Sequence, residues 1–222
     1  MPQDRLELTR QKYNFSITLI VQTLHISYLM LNKKMTITTT SVRKHLTDIT
    51  EWQKLGEANI FPPGSRLELI EGEILEMAPI GSNHAGHIKR LNNLLSTLTF
   101  GKAILSIKDP LRLSDLSEPE PDFMLLKPND DFYSSRHPNA DDVLLLIEVA
   151  DSSLCFDQNE KLRLYARHNI PEYWLMNLKD CCLEVYRQPH DDCFGEKTTL
   201  RVGDSITLSH LNGITINISD IL

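Results

Sequence analysis

Hydrophobic residues recur with different periods along this chain, and each period predicts a different kind of element. Residues 66–77 (RLELIEGEILEM) alternate apolar and acidic positions around Glu71-Gly72, which predicts two antiparallel strands joined by a tight turn. Residues 82–98 place leucine and isoleucine at helical spacing, which predicts an amphipathic helix packed on a sheet. Residues 143–150 are a continuous aliphatic run, which is typical of a central strand buried on both faces.

The remaining segments extend this pattern into a mixed order of helices and strands. We predict a first helix, capped by Ser41 or Thr47, that ends near residue 55. The order predicts an α/β (α+β) fold with a mixed central sheet flanked by helices and with additional β-hairpins at both ends. The other predicted elements are strands at 102–113, 121–126, 172–176, 181–187, 198–202, 205–208 and 214–218, and a helix at 157–169.

Composition and charge narrow the class of protein. The chain has 222 residues, of which 41% are hydrophobic, so one globular domain with its own core is expected. The net charge of -7 argues against a strong non-specific DNA binder, because duplex binding depends on Lys and Arg neutralising phosphates. The four cysteines form no CxxC pair, so neither a zinc ribbon nor a disulfide framework is predicted, and a reducing cytoplasm is expected.

The first 34 residues differ from the rest of the chain. They carry five basic and two acidic residues, and residues 16–31 form an apolar stretch that resembles a targeting segment in outline. This stretch is short for a membrane span, contains Gln22 and His25, and lacks a small-residue cleavage site. We therefore expect no membrane association, and we predict an N-terminal extension over residues 1–34, disordered or not native, followed by one domain over residues 35–222.

Two acids end two apolar runs, and a lysine follows them. Asp122 lies in EPEPDFMLL, Glu148 lies in VLLLIEVADSS, and Lys161 comes 13 residues after Glu148. A lone carboxylate in a buried strand is costly unless a metal ion or a cationic side chain meets it. Two acids holding a hard divalent cation, with an amine to activate water or stabilise charge, would form a metal-dependent phosphodiesterase site.

Each of these residues also has a simpler interpretation. Asp122 follows Pro121 and could mark a turn at the start of a strand. Glu148 could be the solvent-exposed end of its strand, and Lys161 could pair with Asp157 on a helix surface. Spacing alone leaves these alternatives open.

Four segments carry a family resemblance: ELIEGEI, EPEPDFMLL, LLIEVADSS and DQNEKLRLYARHNIPEYWLMN. From about Met35 to the C-terminus the chain resembles the Uma-two family, restriction-endonuclease-like proteins with the PD-(D/E)xK nuclease fold. By this resemblance Asp122 is the aspartate of the PD motif and Glu148 is the second acid. Position 150 is Ala, so the lysine of the motif is displaced to Lys161 on the following helix.

The resemblance also implies two further site residues, Glu73 before the first core helix and His84 on that helix. His84 and His87 are three residues apart, but two histidines without a third ligand are more often solvated helix residues than a zinc site. The basic side chains that could form a positive rim around the acids are Lys89, Arg90, Lys108, Arg112 and Lys127.

The implied function is metal-dependent hydrolysis of nucleic-acid phosphodiester bonds, with DNA as the expected substrate. Mg²⁺, or Mn²⁺ in its place, would bind Asp122, Glu148 and the backbone carbonyl of Val149. Cutting of a duplex by a protein with one site favours a two-fold homodimer. Two alternatives stay open: a catalytically inactive nuclease-like module that binds other proteins, and a hydrolase of a smaller phosphodiester.

Overall fold

The computed structural model describes residues 43–222 of the chain. Within this part, residues 45–222 form one compact unit. The predicted extension over residues 1–34, the predicted domain start at residue 35 and the predicted cap Ser41 all lie outside the described residues.

Four helices and ten strands make up the described unit. The helices are α1 (Ile49–Glu57), α2 (Ser82–Thr99), α3 (Leu154–Phe156) and α4 (Leu162–Arg167), and a π-helical turn, Asp157–Lys161, joins α3 to α4. The strands are β1 (Leu67–Ile70), β2 (Glu73–Glu76), β3 (Ile104–Ser106), β4 (Phe123–Leu126), β5 (Val143–Ala150), β6 (Glu172–Asn177), β7 (Cys182–His190), β8 (Cys193–Leu200), β9 (Ser205–Thr207) and β10 (Thr215–Asn217).

A six-stranded sheet in the order β3-β4-β5-β6-β7-β8 forms the centre of the fold. Within this sheet β5 and β6 run parallel, and the other neighbours are antiparallel. A parallel pair needs a crossover connection, which α3, the π-helical turn and α4 supply. The β1-β2 and β9-β10 hairpins stand apart as two-stranded sheets. This arrangement confirms the predicted mixed sheet with helices on its faces and hairpins at both ends.

The central sheet is buried on both faces because β5 sends alternate side chains into two cores. Leu145 and Ile147 join a core that includes α2 and the C-terminal hairpin. Leu146 and Ala150 join a second core that includes β1 and α4. The long aliphatic run therefore has the cause expected from its sequence, since each face of β5 must cover apolar neighbours.

Several element boundaries differ from the predictions, among them those of the predicted helix at 157–169, which is divided into α3, the π-helical turn and α4. Two of the differences have a clear local reason. Helix α1 is capped by Asp48 rather than Thr47, because Asp48 and Glu51 form a capping box in which each side chain accepts from the backbone N–H of the other. Strand β3 ends at Ser106, well before residue 113, because Lys108 adopts a positive φ of 54° and turns the chain out of the strand. Strand β8 begins at Cys193 and lengthens the β7-β8 hairpin.

Gly72 fixes the β1-β2 hairpin to the rest of the unit. Its φ is 80°, its N–H donates to the carbonyl of Leu116, and its carbonyl accepts from Thr47. A Cβ atom at this position would lie 2.6 Å from the Cβ of Leu46, closer than real Cβ contacts allow. The turn therefore requires glycine for both its backbone conformation and its packing.

We predict that Gly72→Ala lowers the free energy of unfolding by at least about 1–2 kcal/mol, the cost of a left-handed alanine before any clash. Urea unfolding measures the effect. Gly86→Ala is the matched control, because Gly86 lies inside α2 with open space around its Cα, so alanine there should stabilise the protein by about 0.5–1 kcal/mol. Equal effects of the two substitutions would contradict this prediction.

Candidate active site

Strand register brings Asp122 and Glu148 together. Phe123 of β4 pairs with Ile147 of β5, so one step further along this antiparallel ladder Asp122 lies opposite Glu148. Both acids fall on the face of the sheet that carries Met124 and Leu146. Residues 26 positions apart in the sequence thus become cross-strand neighbours where β4 begins and β5 ends.

Reciprocal hydrogen bonds hold the two carboxylates in place. The backbone N–H of Asp122 donates to Oε2 of Glu148 at 3.2 Å, and the backbone N–H of Val149 donates to Oδ2 of Asp122 at 2.9 Å. Each acid therefore satisfies a backbone donor on the strand of the other acid. This exchange fixes the distance between the strand ends and the direction of both side chains.

Lys161 meets Glu148 from the π-helical turn and is 3% exposed. Its Nζ lies 2.9 Å from Oε1 of Glu148 and within 3.0–3.1 Å of both carboxylate oxygens of Glu68 on β1. Tyr165 on α4 adds a hydrogen bond from its hydroxyl to Oε1 of Glu148 at 2.7 Å. One buried ammonium group thus bridges the hairpin and the central strand.

The charges of this cluster shift its titration. Burial raises the pKa of Glu148 above its usual value, although Lys161 opposes this shift. Burial alone would lower the pKa of Lys161, but the charges of Glu148 and Glu68 outweigh it and raise that pKa. Lys161 is therefore a cation at neutral pH.

Asp122 has a second set of partners on its outer side. Nζ of Lys108 lies 2.8 Å from Oδ1 of Asp122, and Nε2 of His84 lies 3.1 Å from Oδ2. Burial raises the pKa of Asp122, but the hydrogen bond from His84 and the charge of Lys108 outweigh burial and lower that pKa to about 2. Asp122 is therefore ionised at neutral pH.

His84, Asp122, Glu148 and Lys161 line a cavity of about 80 Å³, enough for several water molecules. The wall is rich in acids and also holds the basic side chains of Arg66 and Lys161. Among the acids, burial and the charge of Glu148 raise the pKa of Asp157 to about 7. The acidic residues of the wall are Glu68, Glu120, Asp122, Glu148, Asp151 and Asp157.

The structure gathers most of the residues predicted for the site. Asp122, Glu148, Lys161 and His84 line the cavity, and the backbone of Val149 contacts Asp122. The simpler interpretations of Glu148 and Lys161 do not agree with the geometry, because both side chains are buried. Asp122 does lie in a bend directly before β4, as its simpler interpretation expects, but it is buried as well. Asp157 and Lys161 both face inward rather than forming a surface pair.

Glu73 is the predicted residue that the structure leaves out of the cavity wall. It begins β2, is exposed and pairs with Ile70, two positions beyond Glu68 on the neighbouring strand. Glu68 occupies the cavity in its place and is 4% exposed. The alternating glutamates of the hairpin are therefore not all on a wet face, and their pattern could not distinguish the buried acid from the exposed ones.

Of the five basic residues considered for a positive rim, Lys108 contacts the acids. Arg112 lines a separate cavity and pairs with Asp115, and Arg90 donates to the backbone carbonyl of Leu222. Lys89 and Lys127 are exposed at positions outside the cavity wall. The positive charge near Asp122 thus comes from Lys108, which contacts it, and the cavity wall also holds Arg66, which the sequence did not single out.

Two negative findings apply to residues 43–222. In this range no group of three or more His, Cys, Asp or Glu side chains is arranged so that it could hold a metal ion. Over the same residues, the helices are all too short or too polar to cross a membrane. The first finding agrees with the contacts of the two acids, since the oxygens of Asp122 and Glu148 already accept from lysine, histidine, tyrosine and backbone donors.

The mixed sheet, the crossover helix and the buried cluster of acids and lysine define a restriction-endonuclease-like α/β domain. The model of the Uma2 family, described as "Putative restriction endonuclease", matches residues 50–219, and the chain belongs to this family. A crystal structure from Anabaena variabilis, described as "a putative nuclease belonging to DUF820", is similar with a TM-score of 0.57 and 16% sequence identity, over 75% of this chain and 96% of that chain. Curated protein sequences gave no match.

We predict that Glu68→Gln lowers the free energy of unfolding by about 1–3 kcal/mol, because it removes one of two counter-charges from a buried ammonium group. Glu76→Gln on the facing strand is the control and should change stability by less than about 0.5 kcal/mol, as exposed substitutions do. Urea unfolding of both variants measures the difference. A larger effect of Glu76→Gln would mean that the β1-β2 hairpin buries the opposite set of glutamates.

Proposed function

We propose that this protein is a metal-dependent nuclease whose active site is the cavity around Asp122 and Glu148. The observation that carries the proposal is the pair of buried carboxylates fixed side by side at the ends of β4 and β5, with the Lys161 ammonium 2.9 Å from Glu148. Buried, strongly perturbed acids in a cavity are characteristic of functional sites. Family membership supports the same conclusion.

The chemical type of the donors in the cavity wall, rather than their arrangement around an ion, fits a hard divalent cation. The cavity wall holds six carboxylates against two basic side chains, so added positive charge would relieve repulsion among the acids. Carboxylate and carbonyl oxygens are the ligands that Mg²⁺ and Mn²⁺ prefer. Asp122 and Glu148 would hold the ion together with the carbonyl of Val149, the residue whose N–H already contacts Asp122.

A bound ion would supply charge that polarises the scissile phosphate and acidifies a water molecule. The protein groups have separate tasks. Lys161, held between Glu148 and Glu68, orients the attacking water and stabilises negative charge that develops on the phosphate. Glu68 acts as a positioning residue for that ammonium, and His84 fixes one oxygen of Asp122.

Nucleic acid, with DNA first, is the substrate class we propose, and two-fold dimerisation would place two such sites on a duplex. The acidic cavity wall and the net charge of -7 disfavour tight binding of a long nucleic acid, because its phosphate backbone needs positively charged partners. These two observations also favour a second candidate, hydrolysis of a short or small phosphodiester. An inactive, protein-binding relative is the third candidate, and substitution of the two acids separates it from both.

We predict that Asp122→Asn and Glu148→Gln each reduce Mg²⁺- or Mn²⁺-dependent cleavage of DNA by at least about 100-fold, because each removes a charged oxygen ligand. The measurement is cleavage of a plasmid and of a labelled single strand over time. Asp141→Asn and Glu160→Gln are exposed, charge-matched controls and should cleave at the wild-type rate. Wild-type protein that cleaves no better than Asp122→Asn would rule out this site.

We predict that Lys161→Met lowers kcat by about 100- to 1,000-fold with little change in Mn²⁺ affinity, because Lys161 contacts Oε1 of Glu148 and leaves Oε2 of Glu148 and both oxygens of Asp122 to the ion. Single-turnover cleavage and a Mn²⁺ titration give the two quantities. Because the substitution removes a buried cation, circular dichroism is needed to check that the variant is folded. Lys161→Met with normal turnover would remove this residue from the mechanism.

A further inference from the structure

Lys108 holds the outer oxygen of Asp122 from a turn that its own backbone makes. The residue follows β3, its N–H donates to the carbonyl of Pro121 at 3.1 Å, and its Nζ lies 2.8 Å from Oδ1 of Asp122. The backbone hydrogen bond ties the turn to the residue that precedes Asp122. The ammonium is therefore delivered by a fixed piece of backbone rather than by a free surface chain.

The backbone conformation at this position is unfavourable for lysine. The φ of Lys108 is 54°, in the left-handed region where glycine and asparagine are preferred. Neither of those residues could place an ammonium group on Asp122. The side chain of Lys108 therefore makes its contact with Asp122 in spite of an unfavourable backbone conformation.

The two carboxylate oxygens of Asp122 have different hydrogen-bond partners. Oδ2 accepts from His84 and from the backbone N–H of Val149, whereas the described partner of Oδ1 is Lys108. Oδ1 is the oxygen that an incoming cation could use with the smallest loss of existing hydrogen bonds. A divalent ion and the Lys108 ammonium cannot both sit against Oδ1 without strong repulsion.

Two lysines of the site also differ in how firmly they are held. Lys161 has a side chain 4% exposed and two carboxylate partners, whereas the side chain of Lys108 is 28% exposed and has one. Withdrawing Lys161 would leave buried charges uncompensated, but Lys108 can move its ammonium to solvent along its flexible stem. Lys108 is thus the exchangeable cation of the site.

We infer that Lys108 is a built-in competitor for the divalent metal ion, which must displace its ammonium from Asp122 in order to bind. The inference rests on the proposed function, since it concerns the same metal site. The ammonium group therefore lowers the apparent affinity of the protein for the metal ion below the affinity that the carboxylates alone would give. A higher metal concentration is then needed to fill the site.

Mn²⁺ binding to the full-length protein tests this inference without any measurement of cleavage. Free Mn²⁺ is counted by electron paramagnetic resonance in titrations of wild type, Lys108→Met, Lys108→Asn and Lys108→Arg. Asparagine adopts a positive φ readily, so Lys108→Asn provides a neutral variant even if Lys108→Met does not fold. Arginine keeps the charge. Lys102→Met is the charge-matched control, because Lys102 is exposed before β3, away from Asp122.

We expect the Mn²⁺ Kd of Lys108→Met and Lys108→Asn to fall by about 5- to 150-fold, the usual range for coupling between two binding events. Lys108→Arg and Lys102→Met should keep the wild-type Kd. Adding Asp122→Asn to Lys108→Met should abolish the gain, which locates the tighter site at Asp122.

The outcomes separate this inference from the proposed function. If wild type binds Mn²⁺ through Asp122 and the two neutral Lys108 variants bind it no more tightly, the competitor role is wrong while the metal site stands. If wild type and all variants fail to bind Mn²⁺, both the metal site and the competitor role are wrong. If Lys102→Met lowers the Mn²⁺ Kd as much as the Lys108 variants do, the effect comes from net charge alone, and the inference is wrong.

Discussion

The rest of the structure depends on one constraint: two carboxylates, Asp122 and Glu148, are buried side by side at adjacent strand ends. Ionised acids in a low-dielectric interior are costly unless cations and hydrogen-bond donors meet them. The cations and donors that contact the two acids come from separate elements. Helix α2 supplies His84, the turn after β3 supplies Lys108, and the crossover supplies Lys161 and Tyr165. The site is therefore also a point where the layers of the domain are joined.

Topology explains why the crossover can reach the acids. β5 and β6 are the parallel pair of the central sheet, so the chain must leave the end of β5 and return over the face of the sheet. That return begins next to Glu148, and the π-helical turn Asp157–Lys161 aims both of its end residues at the cavity. π-Helical turns inside helices recur at functional sites, and here the turn carries Lys161.

The parts of the fold that depend on local pattern could be predicted from sequence, whereas the parts that depend on register could not. β5 has the predicted bounds because a continuous aliphatic run has few other uses, and α2 follows its leucine spacing. The contact between Asp122 and Glu148 depends on the pairing of β4 with β5, which no spacing reveals. Glu68 and Glu73 belong to one alternating run of glutamates, so packing of the hairpin against Lys161 had to decide between them. Nothing set Lys108 apart from the other candidate bases, because its role comes from a backbone turn that ends β3 early.

The two lysines of the site illustrate how one kind of interaction can be structural in one place and exchangeable in another. Lys161 neutralises acids that face the interior, where its removal would leave Glu68 and Glu148 buried and repelling each other. Lys108 neutralises the outer oxygen of Asp122 at the solvent side, where water can take over an ammonium that leaves. Burial therefore sorts the cations: the inner lysine keeps the carboxylates in place, and the outer one is the group that a competing cation can replace. If the site binds metal as proposed, the ion would replace the contact of Lys108, whereas Lys161, Tyr165 and the backbone donors would hold the acids in place before it binds.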